Sequence, residues 1–479
     1  VGLVVSPILL ANLGPERFGL WALLWAISGS LGLVDLRLAA AITPLAASAW
    51  ARRDTARLGA LAGSALGFYS GLGLFAVVIA FRLVSVPGLV SWIPSTIRDD
   101  AVTGFVLAIG VFALRSLSSV FIGLLSAVQR YDVRSVVTIL SSLLRGISLV
   151  SIALAGGGIK ELLYAEVLVA LFQLIAAAVG VRRALPDVGW LRLPETKTLR
   201  ELVVFGGKLQ IAHGAHLVSF NADKMLLSFF LGLAPVAYYE MGAKAAGLSR
   251  SMPLLLISAT LPVASTLEAS GDRESLWILY RRGTDLLILA ATPALILTCV
   301  GADAIMFAWA GITTIEAQQT LVLLGIGYYL NLVTGMVNTV SVGMGRPDLE
   351  MRRSLMVGLL NLGLSAVLIY TMGFVGAPLG TAIALAAGSW YVVHRFHSIL
   401  ERPVSEFVKL FRLPLLLALP LGLIARFILE LADADRVSTA TGLIISALIL
   451  ITSYLSLGIL QGTVRTEWIR AALRSGGSK

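Results

Sequence analysis

Thirteen apolar runs, each long enough to cross a lipid bilayer, dominate this chain. They cover approximately residues 18–48, 57–81, 102–127, 133–155, 160–181, 203–222, 234–264, 279–300, 316–341, 352–372, 375–394, 410–430 and 440–461. A spanning helix needs about 20 mostly apolar residues, and in lipid only a helix or a closed barrel satisfies its own backbone. One globule could not hide so much apolar surface. Hydrophobic residues make up 57% of the 479 and charged residues 13%, whereas a soluble domain is nearer half apolar and a quarter charged. The expected fold is therefore an all-α polytopic membrane protein. Val1–Ala11 is apolar but too short to span, and no starting methionine precedes it. It reads as the end of a first helix, which brings the expectation to about fourteen transmembrane helices.

The net charge of +10 could suggest nucleic acid, but the basic residues sit in short loops between apolar runs. That distribution belongs to a membrane protein, and no nucleic-acid partner is expected. With each loop numbered by the helix before it, the even side carries 24 lysines and arginines, from Arg52 to Lys479. The odd side carries 6: Arg17, Arg82, Arg98, Lys160, Lys224 and Arg436. The positive-inside rule places the even side, and with it both termini, in the cytoplasm. The single cysteine, Cys299, has no disulfide partner and reads as an inert packing residue.

The chain also repeats itself. A shift of 218 residues lays Leu13-Gly14 on Leu231-Gly232, Pro44 on Pro262, Ala46 on Ala264 and Asp54 on Asp272. A shift of 216 lays Arg130 and Asp132 on Arg346 and Asp348. The matches agree in helix number, helix end and loop position. Six helices separate the copies, so the halves share one orientation, as in an alternating-access transporter built from parallel repeats. The expected organisation is an N-terminal bundle over 1–181, an interfacial cytoplasmic linker over 182–202 and a second six-helix bundle over 203–400. Two further helices and a cytoplasmic tail fill 401–479.

Particular strings then carry a resemblance. They are Leu13–Leu20 (LGPERFGL), Val34–Leu38 (VDLRL), Asp223-Lys224, Leu231-Gly232, Val236–Tyr239 (VAYY), Leu261–Val263, Met344–Pro347 (MGRP) and Gly373–Gly380 (GFVGAPLG). The chain resembles the polysaccharide-biosynthesis (Wzx-type) branch of the multidrug/oligosaccharidyl-lipid/polysaccharide (MOP) exporter superfamily. One departure is that the family often has glycine where Arg37 stands. The resemblance implies a flippase in the bacterial plasma membrane. It would move undecaprenyl-diphosphate-linked oligosaccharide from the inner to the outer leaflet for surface polysaccharide assembly. It also implies membrane lipids as surroundings, polysaccharide polymerase or glycosyltransferases as partners, and contact of the last two helices with the lipid tail.

The charges inside helices bear on the same question. Seven are basic: Arg37, Arg115, Arg145, Lys208, Lys244, Arg250 and Arg426. Four are acidic: Asp35, Glu166, Glu240 and Asp285. A charge at the bilayer centre costs about 2.5–3.5 kcal/mol on the insertion scale, so it faces a cavity or a partner. A basic cavity suits a diphosphate, and arginine offers a planar fork for its oxygens. Arg37, Arg115, Arg145, Lys208, Lys244 and Arg250 are the substrate-binding candidates. Competing structural readings stand beside them: Asp35 and Arg37 as an ion pair, Glu240 neutralising Lys244 at i,i+4, and Arg115 and Arg145 pairing with Glu166. Arg426 reads as snorkelling near a helix end.

Asp35, His213, His216, Asp223 and Glu240 are candidates for ion coupling, since a histidine–carboxylate pair beside a cavity can carry protons. His213 and His216 have no third ligand at metal-like spacing, so no metal site is expected. There is no GxxxxGK[ST] phosphate loop and no large outside loop to hold catalytic groups, so the chain reads as a non-enzyme. It needs no cofactor beyond a coupling proton or sodium ion. The alternative function is a MATE-like exporter of small amphipathic cations coupled to an ion gradient.

Overall fold

The computed structural model of the chain describes residues 2–33, 35, 37–84, 93–189, 193–258, 260–432 and 435–460. Side chains are described throughout these except at 33, 208–209, 211–220, 251–256 and 258. Among the described residues every regular element is helical. Contacts divide the chain into two compact units, Val1–Ala237 and Tyr238–Lys479.

The first unit holds α1 (Gly2–Ser30), α2 (Leu38–Ala51), α3 (Thr55–Val84), α4 (Arg98–Ala127), α5 (Tyr131–Leu154), α6 (Ile159–Ala184) and α7 (Thr196–Leu231), followed by the first turn of α8 (Leu233–Ser258). The second unit continues α8 and adds α9 (Thr260–Ala269), α10 (Arg273–Val300), α11 (Ala302–Ala310), α12 (Ile315–Val333), α13 (Gly335–Gly343) and α14 (Pro347–Met372). After these come α15 (Gly376–Ile399), α16 (Ser405–Leu410), α17 (Arg412–Glu430) and α18 (Arg436–Leu460). Among the described residues nine helical stretches are long and apolar enough to cross a membrane. Their outward faces carry large apolar side chains such as Leu143, Ile147, Leu359 and Tyr370. That surface is stable against lipid and not against water. The chain is an all-helical, multi-pass membrane protein.

Three apolar runs that read as single helices are broken. Residues 18–48 split into the end of α1, a short 3₁₀ turn over Leu31–Leu33 and α2. Residues 234–264 split between α8 and α9, and 316–341 splits at Thr334 between α12 and α13. Breaks at membrane depth survive only where the freed backbone groups find partners within the protein or line a cavity. In α1 the short first segment and the second one are joined through Gly14, whose φ of 76° and ψ of 170° interrupt the helix.

The repeat read from the sequence recurs in the backbone. Gly232, between α7 and α8, has φ 88° and ψ −168°, nearly the geometry of Gly14. Positive φ recurs in three further pairs at spacings of 218, 216 and 217 residues: Arg53 (55°) with Gly271 (71°), Gln129 (59°) with Gly345 (73°), and Gly156 (78°) with Gly373 (67°). Asp54 accepts from the backbone of Arg57 at 2.8 Å, and Asp272 from that of Ser275 at 3.0 Å. The guanidinium of Arg130 binds Asp132 and that of Arg346 binds Asp348, each with its Nε 3.0 Å from the carboxylate.

The sequence repeat begins its second copy with α7, yet α7 packs along α1, α2 and α3 and so lies in the first compact unit. The end of the expected linker is already helix: α7 starts at Thr196, and Leu202 is fully buried in the first unit's core. Arg57 of α3 reaches Thr198 at 2.9 Å and pairs with Glu201, fastening the start of α7.

Candidate binding site

In the first unit, three helices converge on one carboxylate. Glu166 on α6 is fully buried. Its Oε2 accepts from Arg115 Nη2 on α4 and its Oε1 from Arg145 Nε on α5, both at 2.6 Å. An unpaired carboxylate at this depth would be strongly destabilising, so the two cations are what permit Glu166 in the core. Both guanidiniums also lie over the indole of Trp25 on α1, at 5.1 Å for Arg115 and 5.5 Å for Arg145. Each such contact contributes about 0.5–2 kcal/mol, more as water is excluded. Trp21, one turn earlier, meets Trp25 edge to face at 5.5 Å. The pairing of Arg115 and Arg145 with Glu166 is thus present.

Pairing does not exhaust the two arginines. Each guanidinium has five N–H donors, and among the described residues each gives one hydrogen bond, to Glu166. About a third of each side chain is exposed. The indole Nε1 of Trp25 has no acceptor among the described residues. The cluster is therefore rich in donors, short of acceptors and one positive charge in excess. An oxyanion is the ligand such a group accommodates.

Asp35 and Arg37 lie elsewhere in this unit, at the break between α1 and α2. Neither sits on a regular helix. Arg37 has φ 47° and ψ 37°, and it caps α2 without a side-chain bond. This left-handed conformation costs a side-chain-bearing residue about 1–2 kcal/mol and glycine almost nothing. The carboxylate of Asp35 accepts from the hydroxyl of buried Tyr69 on α3, and that hydroxyl accepts from the Ala39 N–H of α2 at 3.2 Å. Gln210 on α7 donates to the Gly32 carbonyl at 2.8 Å. The break is held by named partners.

The remaining candidates are dispersed. Asp223 is fully buried on α7. The side chains of Lys208, His213 and His216 lie outside the described residues. In the second unit Lys244 pairs with Glu240 at 3.0 Å, the neutralising arrangement. Arg250 lies 5.7 Å from the ring of Tyr328, in a narrow recess lined by Ser249, Thr298, Tyr328 and Tyr329. Arg426, near the end of α17 with its side chain 41% exposed, is held by Asp303 and Glu430, each at 2.9 Å, and by the Val300 carbonyl at 3.2 Å. Cys299 is not packed away: it is exposed on the wall of a cleft with Asp303, Gln318 and Arg426. No cluster of three or more potential metal ligands occurs among the described residues.

The sequence reading missed Trp25, Tyr69, Gln210 and Tyr328. The one available signal was Trp21 and Trp25 at i,i+4, and it does not differ from ordinary packing.

With the fold and the charged cluster in view, the comparisons decide the family. The model of the polysaccharide biosynthesis protein family matches residues 1–268, more than half of the chain. The chain belongs to the polysaccharide biosynthesis protein family. No curated protein matches it. Among solved structures, this family member is similar to an inward-facing multidrug resistance MATE transporter of the MOP superfamily. The TM-score is 0.71 at 16% identity, over 84% of this chain and 95% of the other. It is also similar to the lipid II flippase MurJ in an inward closed conformation, at TM-score 0.68 and 14% identity over 97% of each chain. An outward-facing MATE transporter matches at TM-score 0.57 and 15% identity, over 83% of this chain and 92% of that one. At these identities the likeness establishes the fold: this polysaccharide biosynthesis protein has the architecture of the MOP transporters.

Proposed function

We propose that this family member is a flippase for oligosaccharides carried on a polyprenyl diphosphate. It would capture the head group at the Trp25–Arg115–Arg145–Glu166 cluster and release it across the membrane by alternating access. The observation that carries the reading is the surplus of N–H donors around one buried carboxylate. A diphosphate brings oxygens that only accept, and guanidinium forks match their geometry. A small cationic cargo would meet two arginines and gain nothing from them, which counts against the cation exporter. Membership of the polysaccharide biosynthesis family supports the same cargo class, as does the likeness to a structure titled a lipid II flippase.

On this reading the protein lies in the bacterial plasma membrane with both termini in the cytoplasm. It hands its product to polymerase or glycosyltransferases, and works without catalysis. An inside-negative potential assists outward passage of an anion by about 2.3 kcal/mol per charge per 100 mV. Coupling to a proton or sodium ion is assigned to the α1–α2 break, where Asp35 stands beside Tyr69.

The test is export in cells that lack the native protein, at matched membrane abundance. The variant joins Arg115→Gln, Arg145→Gln and Glu166→Gln, which removes the charges without stranding the acid. Export should fall at least tenfold, the equivalent of about 1.4 kcal/mol or more of lost capture. Full export by this neutral variant would overturn the assignment of the site.

A further inference from the structure

The helix that brings Arg145 to the charged cluster has two unlike faces. On α5, Arg134, Thr138 and Ser142 recur at four-residue steps, and at 100° per residue they lie within about 60° of Arg145. Val136, Leu143 and Ile147 lie about 160–180° away and are 63%, 53% and 63% exposed, the face that a spanning helix turns to lipid. The polar row is open too: Arg134, Thr138 and Ser142 are exposed, and so is about a third of the Arg145 side chain. At its far end the Arg134 guanidinium lies over the ring of Tyr131 at 5.9 Å. Such a row on a membrane helix faces water or a ligand, because hydrocarbon offers it no partner. We infer that this row carries the saccharide of the lipid whose diphosphate is held at Arg145. The inference rests on the proposed function and names the residues that sense the sugar.

Row and cluster are continuous because Arg145 belongs to both. From Arg134 to Arg145 the row runs about 16 Å along the helix axis, with a guanidinium at each end and hydroxyls between. A hydroxyl both donates and accepts, so it matches the hydroxyls of a sugar as a guanidinium matches phosphate. The Thr138 hydroxyl donates to the Arg134 carbonyl at 2.9 Å and keeps its lone pairs for a ligand. Ser141, about 40° from Arg145 on the same face, is only 5% exposed, and its Oγ has no partner among the described residues. The second unit closes the equivalent row. A shift of 216 lays Glu350, Ser354, Gly358 and Asn361 on Arg134, Thr138, Ser142 and Arg145. There Glu350 binds Arg353 and accepts from Ser354 at 3.0 Å, while Gly358 and Asn361 are buried. The open row thus occurs in the unit that holds the two arginines.

The experiment uses the full chain in lipid nanodiscs and reads two probes: bare polyprenyl diphosphate, and the lipid-linked oligosaccharide purified from cells that lack the protein. Thr138→Val joined with Ser142→Ala removes both hydroxyls at nearly constant shape, on an exposed face where folding is not at stake. This double variant should raise the Kd of the oligosaccharide-linked lipid about tenfold and leave that of the bare diphosphate unchanged. In an otherwise unaltered protein, photoreactive benzoylphenylalanine at Thr138 should cross-link the saccharide portion. The same group at Val136, about 160° around the helix, should not. Equal labelling of the saccharide from both positions, or an equal loss of both probes in the double variant, would sink the row as a saccharide contact. If the unaltered protein binds neither probe, the flippase reading falls and takes the row with it. Binding of both probes with no effect of the double variant removes the row alone.

Discussion

The two units tell the same backbone story with different chemistry. Each has a positive-φ turn from the pairs Arg53/Gly271, Gln129/Gly345 and Gly156/Gly373, a capping aspartate and an arginine–aspartate clip at matching positions. A shift of 216 residues, however, lays neutral Asn331 on Arg115 and Asn361 on Arg145. Asn361 is fully buried, and its Oδ1 accepts from Ser365 at 2.7 Å and Thr381 at 3.3 Å. One unit thus carries a charged network with donors to spare, and the other a neutral network of buried amide and hydroxyls. The backbone scaffold and the site it hosts are separable: the repeat conserves turns and caps and leaves the interior side chains free to diverge.

The largest expected effect separates the two networks. Glu166→Gln leaves two partly buried guanidiniums without their anion, and breaking such an arrangement costs about 3–5 kcal/mol before discounting for the arginines' exposure. Asn361→Leu takes an acceptor from Ser365 and Thr381 in the second unit and should cost about 1–3 kcal/mol. Thermal melts in detergent should show the larger fall for Glu166→Gln, and only that variant should also bind pyrophosphate more tightly, because both guanidiniums lose their competing anion. Equal falls with binding unchanged in both would erase the distinction between units.

A middle-sized effect concerns the turn before the capping aspartates, where Arg53 and Gly271 both have positive φ. Arg53→Gly removes strain and should stabilise by up to about 1 kcal/mol, while Gly271→Arg should destabilise by about as much. Opposite signs sharpen the comparison, and matching signs would mean that these turns are not equivalent.

The smallest effect is a pH response at Asp272. Its hydrogen bonds to Ser275 hold its carboxyl below the usual carboxylate range. Because the folded value is depressed, the contribution is present above the ordinary carboxylate pKa of about 3.9 and is lost as pH falls through the lower folded value. The melting difference between the unaltered protein and Asp272→Asn should therefore vanish below that window. A difference that persists in strong acid would remove the cap as its cause.

Much of the fold was legible in the sequence, because lipid enforces a simple rule on run length and charge. The helical class, the repeat, and the pairing of Arg115 and Arg145 with Glu166 all followed from apolar runs and from counting charges. The breaks did not. Whether the chain near Gly32 and Asp35 continues a helix depends on Gln210 and Tyr69, which come from α7 and α3 and leave no mark in the local pattern. Trp25 was invisible for a related reason: an aromatic residue in an apolar run looks the same whether it packs a core or carries two guanidiniums.

Glu166 has a consequence for turnover. A carrier that binds its cargo too well becomes a trap, and a diphosphate between two bare arginines invites that outcome. Here an anion is permanently resident in the protein itself. On the proposed function, an arriving phosphate would compete with the Glu166 carboxylate for the same donors, and on its departure the carboxylate would regain them. Release would then be an exchange of one anion for another, with no moment at which two partly buried cations stand uncompensated. The fixed acid lowers the depth of the binding well and, with it, the barrier to letting go.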